Sequence, residues 1–185
     1  MKKTAVVLLA EGFEEVEAVT PVDYLRRAGI TVTVAAVGES LAVTGARGIT
    51  VTADVLLGDL DPGGTGWDAV VIPGGIPGAD NIAASPAALA VISSAAAAGK
   101  MVCAICASPV VVLAPLGLLA GREFCCYPGL ESRVNDGKFR DRPVTVDGNI
   151  VTSRGAGTTG LFSVEIIAGL LGRAEADRVA SAVLL

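Results

Sequence analysis

The sequence predicts an α/β protein, a doubly wound sandwich built on a mostly parallel sheet. Three observations carry that prediction. The runs Lys3 to Leu9, Ala69 to Ile72 and Met101 to Ile105 are almost continuously apolar, as in strands covered on both faces. Segments with helical spacing lie between them, so strands and helices alternate along most of the chain. Hydrophobic residues make up 52% of the chain but aromatics only 4%, so Val, Ala, Leu and Ile must fill the core, and 23 glycines supply tight connections. A length of 185 residues suits one domain that buries a core without disulfides or metals. No internal repeat, linker or low-complexity segment interrupts it.

Taken in order, Lys3 to Leu9 reads as a buried strand. Glu14 to Ala28 reads as a helix with Val16, Val19, Val22 and Leu25 near helical spacing, acids early, Arg26 and Arg27 late, and Gly29 as its stop. Pro21 falls inside it and predicts a kink or a break. Ile30 to Val37 is a second strand, and Leu41 to Ala53 a hairpin turned around Gly45 to Gly48. Asp61-Pro62-Gly63-Gly64 reads as a loop. Ala69 to Ile72 is a strand ending in Pro73-Gly74-Gly75. Pro86 to Ala98 is a helix capped by Ser85 and stopped by Gly99. Met101 to Ile105 is a strand running into Cys106, after which Ser108 to Ala114 opens a helix with Pro109 in its first turn. Glu123 to Tyr127 is a short strand, and Val144 to Val146 with Ile150 to Ser153 a hairpin turned by Asp147-Gly148. Thr159 to Leu171 and Ala174 to Leu184 are closing helices. In such a sheet, ligands bind beyond the carboxyl ends of the strands near the switch point, where Glu11 to Glu17, Pro73 to Gly78 and Cys106 to Pro109 lie.

Composition excludes several function classes. The formal net charge is −5 and basic residues do not cluster, which argues against a nucleic-acid partner. No run approaches the ~20 apolar residues that span a bilayer. The apolar start is too short for a secretory signal and is followed by Glu11, Glu14 and Glu15, so a cytoplasmic location without a membrane partner is expected. The four cysteines are then expected to be reduced thiols. The chain has no histidine, which excludes Ser-His-Asp and Cys-His triads and His-ligated metals.

Cys106 leads the candidate chemical residues. It ends an aliphatic strand and precedes a helix, a strand–nucleophile–helix arrangement. Free N–H groups and partial positive charge at a helix start lower a cysteine pKa and can hold an oxyanion. The alternative reading is an inert buried thiol, and the local pattern alone leaves the two even. Cys103 forms a C-x-x-C with Cys106 but sits mid-strand, so it is read as core. Cys125 and Cys126 lack a ligand set for a metal; one of them resolving an oxidised Cys106 is a lesser alternative. Glu14 and Glu17, at i and i+3, share a helix face, and either is placed to reach the crevice. A partly desolvated carboxyl there would have a raised pKa and donate a hydrogen bond to a thiolate. Acids in a first turn are also ordinary dipole partners, and the spacing does not choose. Gly74-Gly75 permits close backbone approach, but the spacing of a dinucleotide fingerprint is missing.

Together these residues resemble a known family. Glu11-Gly12-Phe13-Glu14-Glu15-Val16-Glu17, Pro21-Val22-Asp23, Arg26-Arg27-Ala28-Gly29-Ile30, Val71-Ile72-Pro73-Gly74-Gly75, Ala104-Ile105-Cys106-Ala107-Ser108-Pro109 and Thr152 to Thr158 occur in order over nearly the whole chain. They look like the ThiJ/PfpI superfamily, in the branch of the Parkinsonism-associated deglycase. The resemblance implies a flavodoxin-like fold and a homodimer. It implies that Cys106 is the reactive, oxidisable cysteine and Glu17 its protonated partner. It places Gly75 and Ala107 as N–H donors at the pocket, Glu14 as a lining residue, and Arg47 near the dimer interface. Tyr127 stands where many relatives carry histidine, and Ala107 stands where the protease-like branch carries one, which removes proteolysis and amidotransfer.

The reading is a cofactor-free, metal-free glyoxalase or deglycase type of enzyme acting on a small reactive aldehyde or glycated adduct. Cys106 attacks the aldehyde, Gly75 and Ala107 hold the oxyanion, and Glu17 moves a proton between adjacent carbons. The alternative is a non-catalytic oxidative-stress sensor or chaperone in which Cys106 becomes a sulfinic acid.

Overall fold

The computed structural model describes residues 2–60 and 66–185, so the loop expected at Asp61-Pro62-Gly63-Gly64 lies outside the described residues. The elements in chain order are β1 (Thr4–Ala10), α1 (Glu15–Arg27), β2 (Thr31–Val37), β3 (Ala42–Thr44), β4 (Thr50–Thr52), β5 (Val55–Leu56), β6 (Ala69–Ile72), α2 (Gly78–Ala83), α3 (Pro86–Ala97), β7 (Met101–Ile105), β8 (Glu123–Phe124), β9 (Lys138–Phe139), β10 (Val144–Asp147), β11 (Ile150–Ser153), α4 (Thr159–Leu171) and α5 (Arg173–Ala182). Seven strands form the main sheet in the order β10-β11-β7-β6-β1-β2-β5. All its pairings are parallel except the β10–β11 hairpin. This is the doubly wound arrangement the aliphatic runs predict and the flavodoxin-like fold the resemblance implies.

Strand alternation sorts the core into two layers. Val6, Leu8, Val70, Ile72, Val102 and Ala104 face Ile82 of α2 and Val91, Ile92 and Ala95 of α3. Ala5, Val7, Ala69, Val71, Cys103 and Ile105 face Leu25 of α1, Phe162, Ile166 and Ile167 of α4, and Val179 of α5. Side chains of adjacent strand residues point to opposite faces, so a run with no polar member is what burial on both sides requires. Each fully buried Leu or Ile contributes roughly 1.5–3 kcal/mol. Among the described residues, no helix is long and apolar enough to cross a membrane.

Four departures from the sequence reading have local causes. Pro21 neither ends nor splits α1, which runs unbroken from Glu15 to Arg27 with Ala18, Pro21 and Leu25 buried on its inner face; packing outweighs one missing N–H. The segment after Cys106 is a wide π-turn over Pro109–Leu113, closed by Ala114 N–H donating to the Pro109 carbonyl at 3.0 Å, instead of an α-helix. The strand expected over Glu123 to Tyr127 stops at Phe124 and pairs with β9 outside the main sheet. Cys125 N–H donates to the Thr152 hydroxyl and Tyr127 N–H to the Cys106 carbonyl, which takes those groups away from a ladder. The two-residue strands β5 and β9 and the six-residue α2 are additional elements.

Chain connectivity fixes where a site can form. β1 is flanked by β2 on one side and β6 on the other, so the chain reverses its direction of winding there. Such a switch point opens a crevice at the carboxyl ends. Residues Gly12 to Glu14 and Gly74 to Gly78 cross it almost in contact: a Cβ at Gly78 would lie 2.6 Å from the Phe13 Cα.

Candidate active site

Cys106 is the first residue beyond β7 and holds a left-handed backbone, with φ 64°. For a residue with a Cβ this conformation costs about 1–3 kcal/mol. Two hydrogen bonds hold it: Cys106 N–H donates to the Ser153 carbonyl at 2.9 Å, and its own carbonyl accepts from Tyr127 N–H at 2.8 Å. The elbow turns the side chain toward solvent, so Cys106 is the one partly exposed thiol of the four. Cys103 is fully buried in the core, as its mid-strand place implies. Cys126 packs in the layer of α2 and α3, whereas Cys106 packs against the layer of α1 and α4. Cys125 is buried with its thiol donating to the Thr152 carbonyl at 3.1 Å.

The start of α1 separates the two glutamates that spacing could not. Glu14 is the cap, its carboxylate accepting Glu17 N–H at 2.7 Å. Glu17 lies one turn inward and is 1% exposed. One of its oxygens, Oε2, accepts Gly74 N–H at 2.9 Å. Its carboxyl shares the cavity with the Cys106 thiol, and the Gly75 and Ala107 N–H groups lie near enough to act on the protonation of that thiol. A Cβ on Gly74 would lie 2.6 Å from both the Cys106 Cβ and Glu17 Oε2. Glycine there is what lets the carboxyl approach the sulfur.

Burial pushes the Glu17 carboxyl up to about 7, with the nearby Glu14 charge adding to the rise and the Gly74 N–H and Cys106 opposing it. The expected lowering of the Cys106 pKa is overturned. Burial raises it, and the Glu17 charge raises it further, to about 12, against the pull of the Gly75 and Ala107 N–H groups. The Glu17 contribution exists only while Glu17 is ionised. The two groups therefore titrate as a coupled pair. With two protons the sulfur is a thiol. With one, the thiol keeps the proton beside the Glu17 carboxylate, and thiolate beside neutral acid is a minor tautomer reached by transfer between the two. Alkylation of Cys106 by iodoacetamide should thus accelerate through an inflection near pH 7, and Glu17→Gln should erase that inflection. Peptide-resolved mass spectrometry across pH checks it; a wild-type rate rising only in the ordinary thiol range would overturn the pairing.

A cavity of about 490 Å³ opens over the pair, lined by Glu14, Glu17, Arg47, Gly75, Cys106, Ala107 and Tyr127 together with Ala46, Ile76, Leu130 and Ala156. All seven residues singled out in the sequence meet there. Arg47 and Tyr127 are its exposed rim. The sequence reading missed the four apolar lining residues, the Gly74 donor, and the Ser153 carbonyl behind the elbow. None carries a local signal except Gly74, whose doublet with Gly75 marks close approach. Among the described residues, no group of three or more His, Cys, Asp or Glu is arranged to hold a metal ion.

Comparison with known proteins identifies the family. The model of the DJ-1/PfpI family matches residues 3–169. The chain belongs to the DJ-1/PfpI family. It is 38% identical over 186 residues to the Parkinson disease protein 7 homolog of Danio rerio, covering 99% of this chain and 97% of that protein. It is 33% identical to the glutathione-independent glyoxalase DJR-1.2 of Caenorhabditis elegans, covering 92% of this chain and 90% of that one. Protein DJ-1 homolog B of Arabidopsis thaliana is 38% identical over 97% of this chain, which spans only 40% of that longer protein. The structure of oxidized DJ-1 from Toxoplasma gondii superposes with a TM-score of 0.93 at 36% identity, covering 98% of both chains.

Proposed function

We propose that this chain is a cofactor-independent glyoxalase or deglycase acting on 2-oxoaldehydes such as methylglyoxal, or on their adducts. The observation that carries the reading is the pairing of a strained Cys106 with a buried Glu17 at one cavity that Gly75 and Ala107 also line. The glyoxalase named among its relatives supports it. Cys106 sulfur bonds to the aldehyde carbon, and its proton passes to, or already sits on, Glu17. The Gly75 and Ala107 N–H groups face the oxyanion that forms. Glu17 passes that proton to the oxyanion, giving a hemithioacetal hydroxyl; the emptied carboxylate then takes the proton from the former aldehyde carbon and returns it to the adjacent carbonyl carbon, while the hydroxyl proton moves to the neighbouring oxygen, which leaves a 2-hydroxy thioester. Water cleaves the thioester, so the net reaction adds one water to the substrate and releases a 2-hydroxy acid.

Room for such a substrate lies on the free side of Glu17. Oε2 is occupied by Gly74, whereas Oε1 faces Gly155, whose absent Cβ would sit 3.7 Å from Oε1 and 3.6 Å from the Tyr127 ring. Tyr127 takes the role of a rim hydrogen-bonding group, since a phenol is a poor base near neutral pH. The proposal includes a single functional domain, a cytoplasmic homodimer with Arg47 near its interface, and no nucleic-acid or membrane partner. Val16, Val19 and Ile49 are exposed apolar residues that a second copy would cover.

A second reading, a redox sensor in which two equivalents of peroxide oxidise Cys106 to a sulfinic acid and leave as water, draws on the same exposure of Cys106 alone. One experiment separates them: methylglyoxal consumption with lactate detection for wild type, Cys106→Ser and Glu17→Gln. The enzyme reading expects turnover that Cys106→Ser abolishes and Glu17→Gln lowers by 10²-fold or more, roughly the contribution of a general acid–base. Wild-type turnover no higher than that of Cys106→Ser would transfer the site to the sensor reading.

A further inference from the structure

Ser108 lies two residues past Cys106, fully buried, and takes no part in the chemistry described above. Its hydroxyl donates to the Pro73 carbonyl at 2.6 Å, a short bond for a neutral O–H donor. That carbonyl belongs to the same peptide unit as the Gly74 N–H, which donates to Glu17 Oε2 at 2.9 Å. A single peptide plane is therefore gripped at both ends, by Ser108 at its oxygen and by Glu17 at its nitrogen. Hydrogen bonds in a chain polarise one another, so donation to the oxygen makes the N–H a stronger donor. Cys106 Cβ and Glu17 Oε2 crowd the place a Gly74 side chain would take, each 2.6 Å from where a Cβ would sit.

We propose that Ser108 is a positioning residue for Glu17: through the Pro73–Gly74 peptide, its hydroxyl fixes and strengthens the N–H that Glu17 accepts, and so sets how the Glu17–Cys106 pair divides its proton. Glu14 at the start of the same helix and Cys106 on the elbow also act on this carboxyl, and Tyr127 and Arg47 line the same cavity; Ser108 is hydrogen-bonded to none of the four. Removing the hydroxyl weakens the Gly74 bond. The ionised form of Glu17 loses stabilisation and the carboxyl keeps its proton to higher pH.

The inference rests on the Glu17–Cys106 pairing but needs no substrate, so a failure of turnover leaves its test readable. The test is a ¹³C NMR titration of the Glu17 carboxyl carbon in reduced protein. Ser108→Ala should move the midpoint upward by about half to one pH unit, the scale of one weakened charge-assisted hydrogen bond. The inflection in Cys106 alkylation should move with it. Ser108→Gly, which leaves no Cβ to mispack, should do the same and serves if Ser108→Ala does not fold. In a Glu17→Gln background, Ser108→Ala should leave the alkylation profile of that background unchanged. An unmoved Glu17 midpoint in a folded Ser108 variant would overturn the proposal, as would an alkylation shift that persists without Glu17.

Discussion

Gly75→Ala should destabilise the fold by about 3–5 kcal/mol and erase the inflection near pH 7 expected in Cys106 alkylation. Gly75 has φ 90°, where an L side chain is strained. Its Cβ would lie 2.5 Å from Glu14 N, 2.6 Å from the Gly12 carbonyl oxygen and 2.7 Å from the Phe13 carbonyl carbon. All three are backbone atoms of the segment joining β1 to α1, and they cannot step aside as a flexible side chain would. That segment carries Glu14 and leads directly into Glu17, so relieving the clash moves the carboxyl away from the sulfur. Gly74→Ala is the instructive contrast. Its Cβ meets mainly side-chain atoms, Cys106 Cβ and Glu17 Oε2, each at 2.6 Å. It should cost less stability, yet it wedges the pair apart and should lose that inflection just as fully. Urea denaturation and Cys106 alkylation on both variants measure the two effects separately. Gly75→Ala unfolding at the wild-type midpoint would show that the crossing of the two loops is looser than its distances imply.

The contrast also marks what local sequence can and cannot convey. β6 and β7 are legible to the residue because each is an unbroken aliphatic run closed by a conspicuous residue, Pro73 or Cys106. Ser85 capping α3 is legible because the cap bond to Ala88 N–H spans three residues. Glu17 is different. Helical spacing places Glu14 and Glu17 on one face, but the choice between them depends on Gly74, 57 residues away. Cys106 shows the same limit in its electrostatics. A favourable turn after the strand is a local property, whereas the burial and the carboxylate that push its pKa upward are tertiary ones. β5 and β9 are two residues each, too short for any periodicity to register. The resemblance to a family named the residues of the pocket; the physical reason they share it, the switch point between β1 and β6, emerges only from strand order.

Glu17→Gln should make the protein more stable at pH 8 than the wild type, by about 3 kcal/mol beyond any difference between the two at pH 4. The sign follows from where the proton resides. In the unfolded chain Glu17 ionises near its ordinary value of 4.5, whereas in the fold it holds its proton up to about 7. Below pH 4.5 both states are protonated and the buried acid carries no electrostatic penalty. As pH rises from there to 7, the unfolded chain sheds the proton and the fold does not, so wild-type stability falls. Above pH 7 the fold ionises too, and the loss levels off at its full value. Glutamine has no proton to lose. Its carbonyl oxygen can still accept the Gly74 N–H, and its amide can donate to the Cys106 sulfur. Denaturant titrations of both proteins at several pH values between 4 and 8 give the comparison directly. Stability curves that run parallel would place the Glu17 charge in an environment as hospitable as water, and the raised carboxyl on which the proton transfer depends would have to be abandoned. A gap that widens with pH while turnover falls would mean that the same burial that weakens the fold at neutral pH is what readies Glu17 to carry a proton.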